Sequence, residues 1–222
     1  MEKLTGIIFD MDGLLVDSES VYYEGTQHIA DRLGLPFTKE TYLAGLGISD
    51  EELHRYYHQL YDAQVGHDEV ERFIQVSYDY CVSLFEAGYV KLKPGVHELL
   101  AFCRTKKIKT VVASSNTKKL ITLLLNETGI FEQFEAIISA DDVPRAKPDP
   151  AIFLAAREYL QAERRELLVL EDSKNGLLAA QAAGIPVVMI PDLLPPPDMP
   201  DLQVLPQLTD VPDFLLEHYR FD

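Results

Sequence analysis

Asp10 and Asp12 stand two residues apart at the end of an apolar run, residues 4–9, with Gly13 directly behind them and Asp17-Ser18 a little further on. Ionised carboxylates are rarely buried without partners. A strand that delivers two of them to one point therefore implies a bound cation, a proton-transfer task, or both. Asp and Gly are also ordinary turn residues, and Gly13 lets the backbone turn sharply, so the pair alone does not decide the matter.

Three other places carry residues suited to phosphate chemistry. Ala113-Ser114-Ser115-Asn116 sets small hydroxyls and amides just before a helical pattern that begins near Lys118, where free N–H groups and the helix dipole favour an anion. Helix capping is a compatible reading of Ser114 and Ser115. Lys147 lies between prolines in Arg145-Ala146-Lys147-Pro148-Asp149-Pro150, which by itself reads as a rigid loop. Glu171-Asp172-Ser173 repeats the paired-acid pattern, with an N-cap at Asp172 or Ser173 as its plainer meaning. Asp10, Asp12, Glu171 and Asp172 together supply hard oxygen ligands of the kind Mg²⁺ prefers.

Each of these places follows an element that could position it. Short β-rich apolar runs occupy residues 4–9, 108–113, 136–139, 167–170 and 187–190, and the later ones alternate with helical patterns. That alternation predicts an α/β fold, a Rossmann-like parallel sheet with helices on both faces. Ligands bind such sheets beyond the carboxyl ends of the strands, so all four places point to one crevice. Residues 15–91 contain no convincing strand but at least three helical stretches, 18–33, 49–61 and 67–87, the second opened by a Ser49/Glu52 capping box. They predict an all-helical cap domain inserted into a core made of residues 1–14 and 92–222. Residues 191–206 are proline-rich and read as an irregular surface segment.

Nine of the eleven tyrosines fall in the helical insert, where amphipathic packing is the expected reason. His54 and His58 have a metal-ligand spacing on one helix, but no accompanying motif, and read as a solvated face. With 36 acidic and 20 basic residues the net charge is −16, which disfavours nucleic acid and anionic membranes as partners. Cys81 and Cys103 lack metal spacing and fit reduced apolar positions. No signal peptide, transit peptide or membrane span is apparent, so the expectation is a cytoplasmic monomer.

Taken in order, Asp10/Asp12, Ser114, Lys147 and Glu171/Asp172 resemble the four motifs of the haloacid dehalogenase-like superfamily, in its phosphatase and phosphomutase branch with an inserted helical cap. The resemblance spans nearly the whole chain. It implies a Mg²⁺-dependent phosphatase acting on a small phosphorylated metabolite, such as a sugar phosphate, through an aspartyl-phosphate. Asp10 would be the nucleophile and Asp12 the general acid and base. Lys147 would neutralise charge, and Ser114, Ser115 and Lys147 would bind the phosphate. Asp10, Asp12 through its backbone carbonyl, and Asp172 would hold the metal, with Glu171 as a further or outer ligand. Cap closure would exclude water. A β-phosphoglucomutase-like mutase is the alternative, and a pyrophosphatase a more distant one. Where that mutase carries a cap histidine and arginine, this chain has Tyr22 and no arginine near Gly45-Leu46-Gly47. Dehalogenase chemistry does not need the second aspartate, so Asp12 argues against it.

Overall fold

The computed structural model of the chain describes residues 1–221. In chain order the strands are β1 (Glu2–Lys3), β2 (Gly6–Phe9), β3 (Lys109–Ala113), β4 (Ala136–Ile138), β5 (Leu167–Glu171), β6 (Val187–Met189), β7 (Gln203–Val204) and β8 (Tyr219–Arg220). The helices are α1 (Ser18–Leu33), α2 (Lys39–Ala44), α3 (Asp50–Val65), α4 (His67–Glu86), α5 (Val96–Lys106), α6 (Lys118–Glu127), α7 (Ala151–Leu160), α8 (Lys174–Ala183) and α9 (Val211–His218). The chain divides into two compact units, one formed by Met1–Asp17 with everything from Lys91 onward, the other by Ser18–Val90.

In the first unit, six strands form a parallel sheet in the order β4-β3-β2-β5-β6-β7. Helices cover both faces. β2 is central because Gly6-Ile7-Ile8-Phe9 is apolar on both sides of the pleat, and all four residues are buried. On one face Ile8, Val111 and Val169 pack with Phe153 and Ala156 of α7 and with Ala179, Ala180 and Ala183 of α8. The small residues of α8 let it sit close to the sheet. Phe9 pairs in register with Val112 of β3 and Leu170 of β5, so three strands end at one level. The strand order reverses around β2, which makes that level the switch point where ligands bind in open α/β sheets.

The turn after β2 is tied by its own backbone. The Leu15 N–H donates to Met11 O at 2.8 Å and the Gly13 N–H to Val16 O at 3.0 Å, with Gly13 at φ +72°. Next, the Asp17 N–H donates to Lys91 O at 2.8 Å and the Lys93 N–H to Leu15 O at 2.9 Å. This pairing draws residues 15–17 and Lys91 into the α/β unit. The division falls after Asp17 and after Val90, three residues and one residue from the expected 14/15 and 91/92 positions.

The second unit is helical. Phe37, Tyr42, Tyr57, Tyr61, Val70 and Phe73 are buried together, with Tyr22, Tyr23, Tyr56 and Tyr80 packed against them. Most of the tyrosines thus serve packing, while Tyr78 and Tyr89 are exposed. α3 starts at the expected capping box, in which the Glu52 N–H donates to Ser49 Oγ at 3.3 Å and the Ser49 N–H to Glu52 Oε2 at 3.0 Å.

Two local expectations are corrected, and one choice between neighbours is resolved. The proline-rich segment 191–206 contains β7, which extends the sheet edge by pairing Val188 with Gln203 and Met189 with Val204. Two residues are too few to leave a periodic signal. α6 is capped by Thr117, whose side chain accepts the Leu120 N–H, so Ser114 and Ser115 are not the caps. Of the two cap candidates Asp172 and Ser173, it is Ser173 that caps α8, accepting the Gly176 N–H at 3.1 Å. α2, α5, α7 and α9 are helices to which the sequence patterns assign no bounds.

Candidate active site

The carboxyl end of the sheet gathers side chains from four strand ends. The Asp10 N–H completes the ladder on Leu170 O at 3.0 Å, and its carboxylate follows at once. Lys147 meets it there. The ammonium donates to Asp10 Oδ1 at 2.5 Å, Glu171 Oε1 at 2.7 Å and Ala113 O at 3.1 Å, which accounts for all three of its N–H donors. It also lies 4.9 Å from the centre of the Phe153 ring.

Glu171 is fully buried. Its Oε1 takes Lys147, while Oε2 accepts both the Ser173 N–H at 2.8 Å and the Ser173 hydroxyl at 2.9 Å. Both oxygens are thus engaged by protein donors, and Glu171 fits an outer position at any cation site. Asp10, Glu171 and Asp172 offer carboxylate oxygens that all lie within 4.8 Å of one another.

Asp12 faces a different way. Its Oδ2 accepts Asn116 Nδ2 at 2.7 Å and the Ser114 hydroxyl at 3.4 Å, and Ser114 Oγ in turn accepts the Asn116 N–H at 3.2 Å. The side chain of Asp12 is outside the Asp10, Glu171 and Asp172 group. Ser114 is buried, whereas Ser115 is exposed and its side chain takes no part in these bonds.

The charges explain the protonation tendencies. Burial, the largest influence, pushes the Asp10 carboxyl up to about 8, with Glu171 and Asp12 acting in the same direction and Lys147 opposing. The two carboxylates beside Lys147 hold its pKa above the usual lysine range despite burial.

A further, largely buried acid adjoins the cluster. Asp192 Oδ1 binds Lys93 Nζ at 2.5 Å, while Asp192 Oδ2 is buried without a hydrogen-bond partner among the described residues. A Cβ on Gly13 would stand 2.4 Å from Asp172 Oδ2 and 3.0 Å from Asp192 Oδ2, so only glycine lets the turn approach both acids. Converging carboxylates with an unsatisfied buried oxygen alongside are a donor set that suits a hard divalent cation such as Mg²⁺ with retained water.

Sequence reasoning missed Asn116 as a partner of Asp12, Ser173 and Gly176 as neighbours of Glu171, and the Lys93–Asp192 pair. Asn116 lies within a motif already marked and could have been found as its one side-chain amide. Nothing local marks Lys93 or Asp192, which are 99 residues apart.

The fold is a doubly wound sheet whose switch point presents a buried carboxylate, an ammonium and an acidic cluster. Residues 7–190 match the model of the haloacid dehalogenase-like hydrolase family, and the chain belongs to that family. It is 32% identical over 182 residues to a phosphorylated carbohydrates phosphatase of Thermotoga maritima, covering 82% of each chain. It is 27% identical over 185 residues to a beta-phosphoglucomutase of Bacillus subtilis, covering 82% of this chain and 81% of the other. A crystal structure described as a "putative beta-phosphoglucomutase" from Thermotoga maritima aligns with TM-score 0.81 at 28% identity, over 97% of this chain and 100% of that one. The family and these relatives place the chain in the phosphatase and mutase branch. Among the described residues no helix is long and apolar enough to cross a membrane.

Proposed function

We propose that the protein is a Mg²⁺-dependent phosphatase that hydrolyses a small sugar phosphate through an aspartyl-phosphate on Asp10. The observation that carries this reading is the Lys147 ammonium bonded at once to Asp10 and Glu171 at the end of the central strand. The relatives named for phosphorylated carbohydrates support the substrate class.

A carboxylate approaching a phosphate dianion meets repulsion of about 4 kcal/mol at contact distance with an effective dielectric near 20. Lys147 offsets part of it and fixes the rotation of the Asp10 carboxyl group. Asp10, the Asp12 backbone carbonyl and Asp172 would hold Mg²⁺, which when bound neutralises phosphate charge as a Lewis acid. In the first step an Asp10 oxygen bonds to phosphorus, the ester P–O bond breaks, and Asp12 gives its proton to the leaving alkoxide. In the second, Asp12 takes a proton from water as that oxygen bonds to phosphorus and the bond to Asp10 breaks, releasing inorganic phosphate. Asn116 orients Asp12 for both transfers, and the phosphoryl group would be bound by the Ser115 backbone N–H, by the Ser114 hydroxyl turned from Asp12, and by Lys147 through the N–H now given to Ala113 O.

The test is phosphate release from a panel of sugar phosphates ranked by kcat/KM. Asp10→Asn should abolish turnover of every one with the circular dichroism spectrum unchanged, and near-normal activity in that variant would refute the assignment. The two relatives named beta-phosphoglucomutase favour a second reading. Conversion of β-glucose 1-phosphate to the 6-phosphate with a bisphosphate activator, without net phosphate release, would establish it instead.

A further inference from the structure

Besides the Asp10 centre, metal-ligating side chains converge at one other place among the described residues. His58 and Asp62 on α3 and His67, the first residue of α4, offer ligand atoms that all lie within 4.8 Å of one another. The spacing that stands out in the sequence is His54 with His58. The fold instead pairs His58 with the acid one turn further on and with a histidine across the Gly66 turn.

We propose that His58, Asp62 and His67 form a Zn²⁺ site that clips the end of α3 to the start of α4. Asp62 lies between the two rings, with Oδ1 2.7 Å from His58 Nδ1 and Oδ2 3.6 Å from His67 Nδ1. The rings are stacked, 4.2 Å between centres, and both present their Nδ1 edge to that carboxylate. His58 Nε2 is 2.8 Å from Glu71 Oε1. A carboxylate that accepts the far N–H of an imidazole fixes the tautomer and leaves the near nitrogen as a lone-pair donor, the arrangement common around protein-bound zinc.

Zinc bonds of about 2.0–2.2 Å set tetrahedral ligand atoms roughly 3.3–3.5 Å apart. His58 Nδ1 meets Asp62 Oδ1 and His67 Nδ1 meets Asp62 Oδ2, so one Asp62 oxygen comes to serve both through a rotation of the carboxylate. The ligand atoms, all within 4.8 Å of one another, reach that spacing by rotation of His67, whose side chain is 67% exposed. A fourth position is left for water. Two imidazoles and a carboxylate suit Zn²⁺, while Mg²⁺ prefers oxygen donors alone, so this site and the Asp10 centre select different ions. Asp62 and Glu71, in a chain of net charge −16, supply the negative charge. Asp62 first, then Glu71, also raises the His58 pKa, so zinc must displace a proton to bind.

The full chain, carrying no affinity histidines and stripped with chelator, is titrated with Zn²⁺ by calorimetry at about pH 8, since zinc competes with protons for its ligands. Millimolar Mg²⁺ is present to cover the carboxylate centre. One Zn²⁺ is expected to bind with a Kd below about 10 µM, and His67→Gln and Asp62→Asn should each weaken it at least tenfold, on the order seen when metal-site residues are removed. Zn²⁺ should raise the thermal midpoint of the unmodified chain and leave that of His67→Gln unmoved. Weaker binding by the unmodified chain, a smaller loss in either variant, or an equal midpoint shift in His67→Gln would overturn the proposal. Both substituted residues are partly or largely exposed, and circular dichroism confirms that each variant is folded before titration.

Discussion

The carboxylate of Glu171 occupies the space that a side chain at position 176 would need: a Cβ on Gly176 would stand 1.7 Å from Glu171 Oε1 and 2.4 Å from Oε2. The first turn of α8 is thereby laid directly on the acid that holds Lys147. In an exposed helix, glycine is about 1 kcal/mol worse than alanine, so Gly176→Ala would be stabilising if propensity ruled. Here overpacking, about 1–3 kcal/mol, outweighs it and displaces Glu171 from Lys147. Gly176→Ala should lower the urea midpoint and reduce kcat. A raised midpoint would show that α8 can shift without disturbing Glu171.

Lys93 and Asp192 join the segment after Lys91 to the segment after β6 through a largely buried ion pair. Breaking such a pair from one side leaves an uncompensated charge and costs about 3–5 kcal/mol, whereas replacing both partners with apolar residues is often nearly neutral. Lys93→Met should therefore destabilise strongly, and Lys93→Met with Asp192→Leu should recover most of the loss in a denaturant double-mutant cycle. Additive effects would mean that the two side chains do not act as a pair.

Asn116 holds the Asp12 carboxylate at 2.7 Å without reaching Asp10. Asn116→Ala should lower kcat about tenfold with KM little changed, because it loosens the proposed acid and base while leaving the nucleophile in place. Asn116→Asp should be worse, since it sets two carboxylates against each other. An unchanged kcat for both variants would remove Asn116 from the positioning of Asp12.

The Asp10 pKa, raised mainly by burial, sets the sign of a pH effect. Its folded value of about 8 lies above the ordinary carboxylate value of about 4. The proton is bound more tightly in the folded chain, so this group's stabilising contribution is full below about pH 4 and is lost as pH rises toward about 8. In the chelated protein, the stability difference between the unmodified chain and Asp10→Asn should therefore shift against the unmodified chain across that window. Millimolar Mg²⁺, which binds the ionised form, should reduce the shift. Parallel pH profiles for the two proteins would show that Asp10 is ionised throughout.

Burial also raises the two thiols, Cys81 to about 11 and Cys103 to about 12. Almost no thiolate is present near neutrality, so neither should react with a disulfide reagent until the chain unfolds. Rapid modification of the native protein would contradict this burial.

Much of the frame was legible in the sequence because it depends on patterns a few residues long. The apolar run before Asp10 reads as a buried strand, and alternation of such runs with helical periods implies a parallel sheet. The rule that ligands sit beyond the carboxyl strand ends then collects Asp10, Ser114, Lys147 and Glu171 in one place. β7 escaped because two paired residues carry no period, and α2 because six residues make less than two turns.

The sequence by itself determined which residue types stand at the strand ends, since hydrophobic periodicity places each strand and its last residue. The tertiary structure decided which atoms they meet. Asp12 turns to Asn116 and not to Asp172, Glu171 gives both oxygens to Lys147 and Ser173, and His58 finds Asp62 and His67 in place of His54. Lys93 finds Asp192, 99 residues away. Such choices depend on strand register, side-chain rotation and the close approach that Gly13 and Gly176 permit, and no local pattern encodes contacts between segments that only folding brings together.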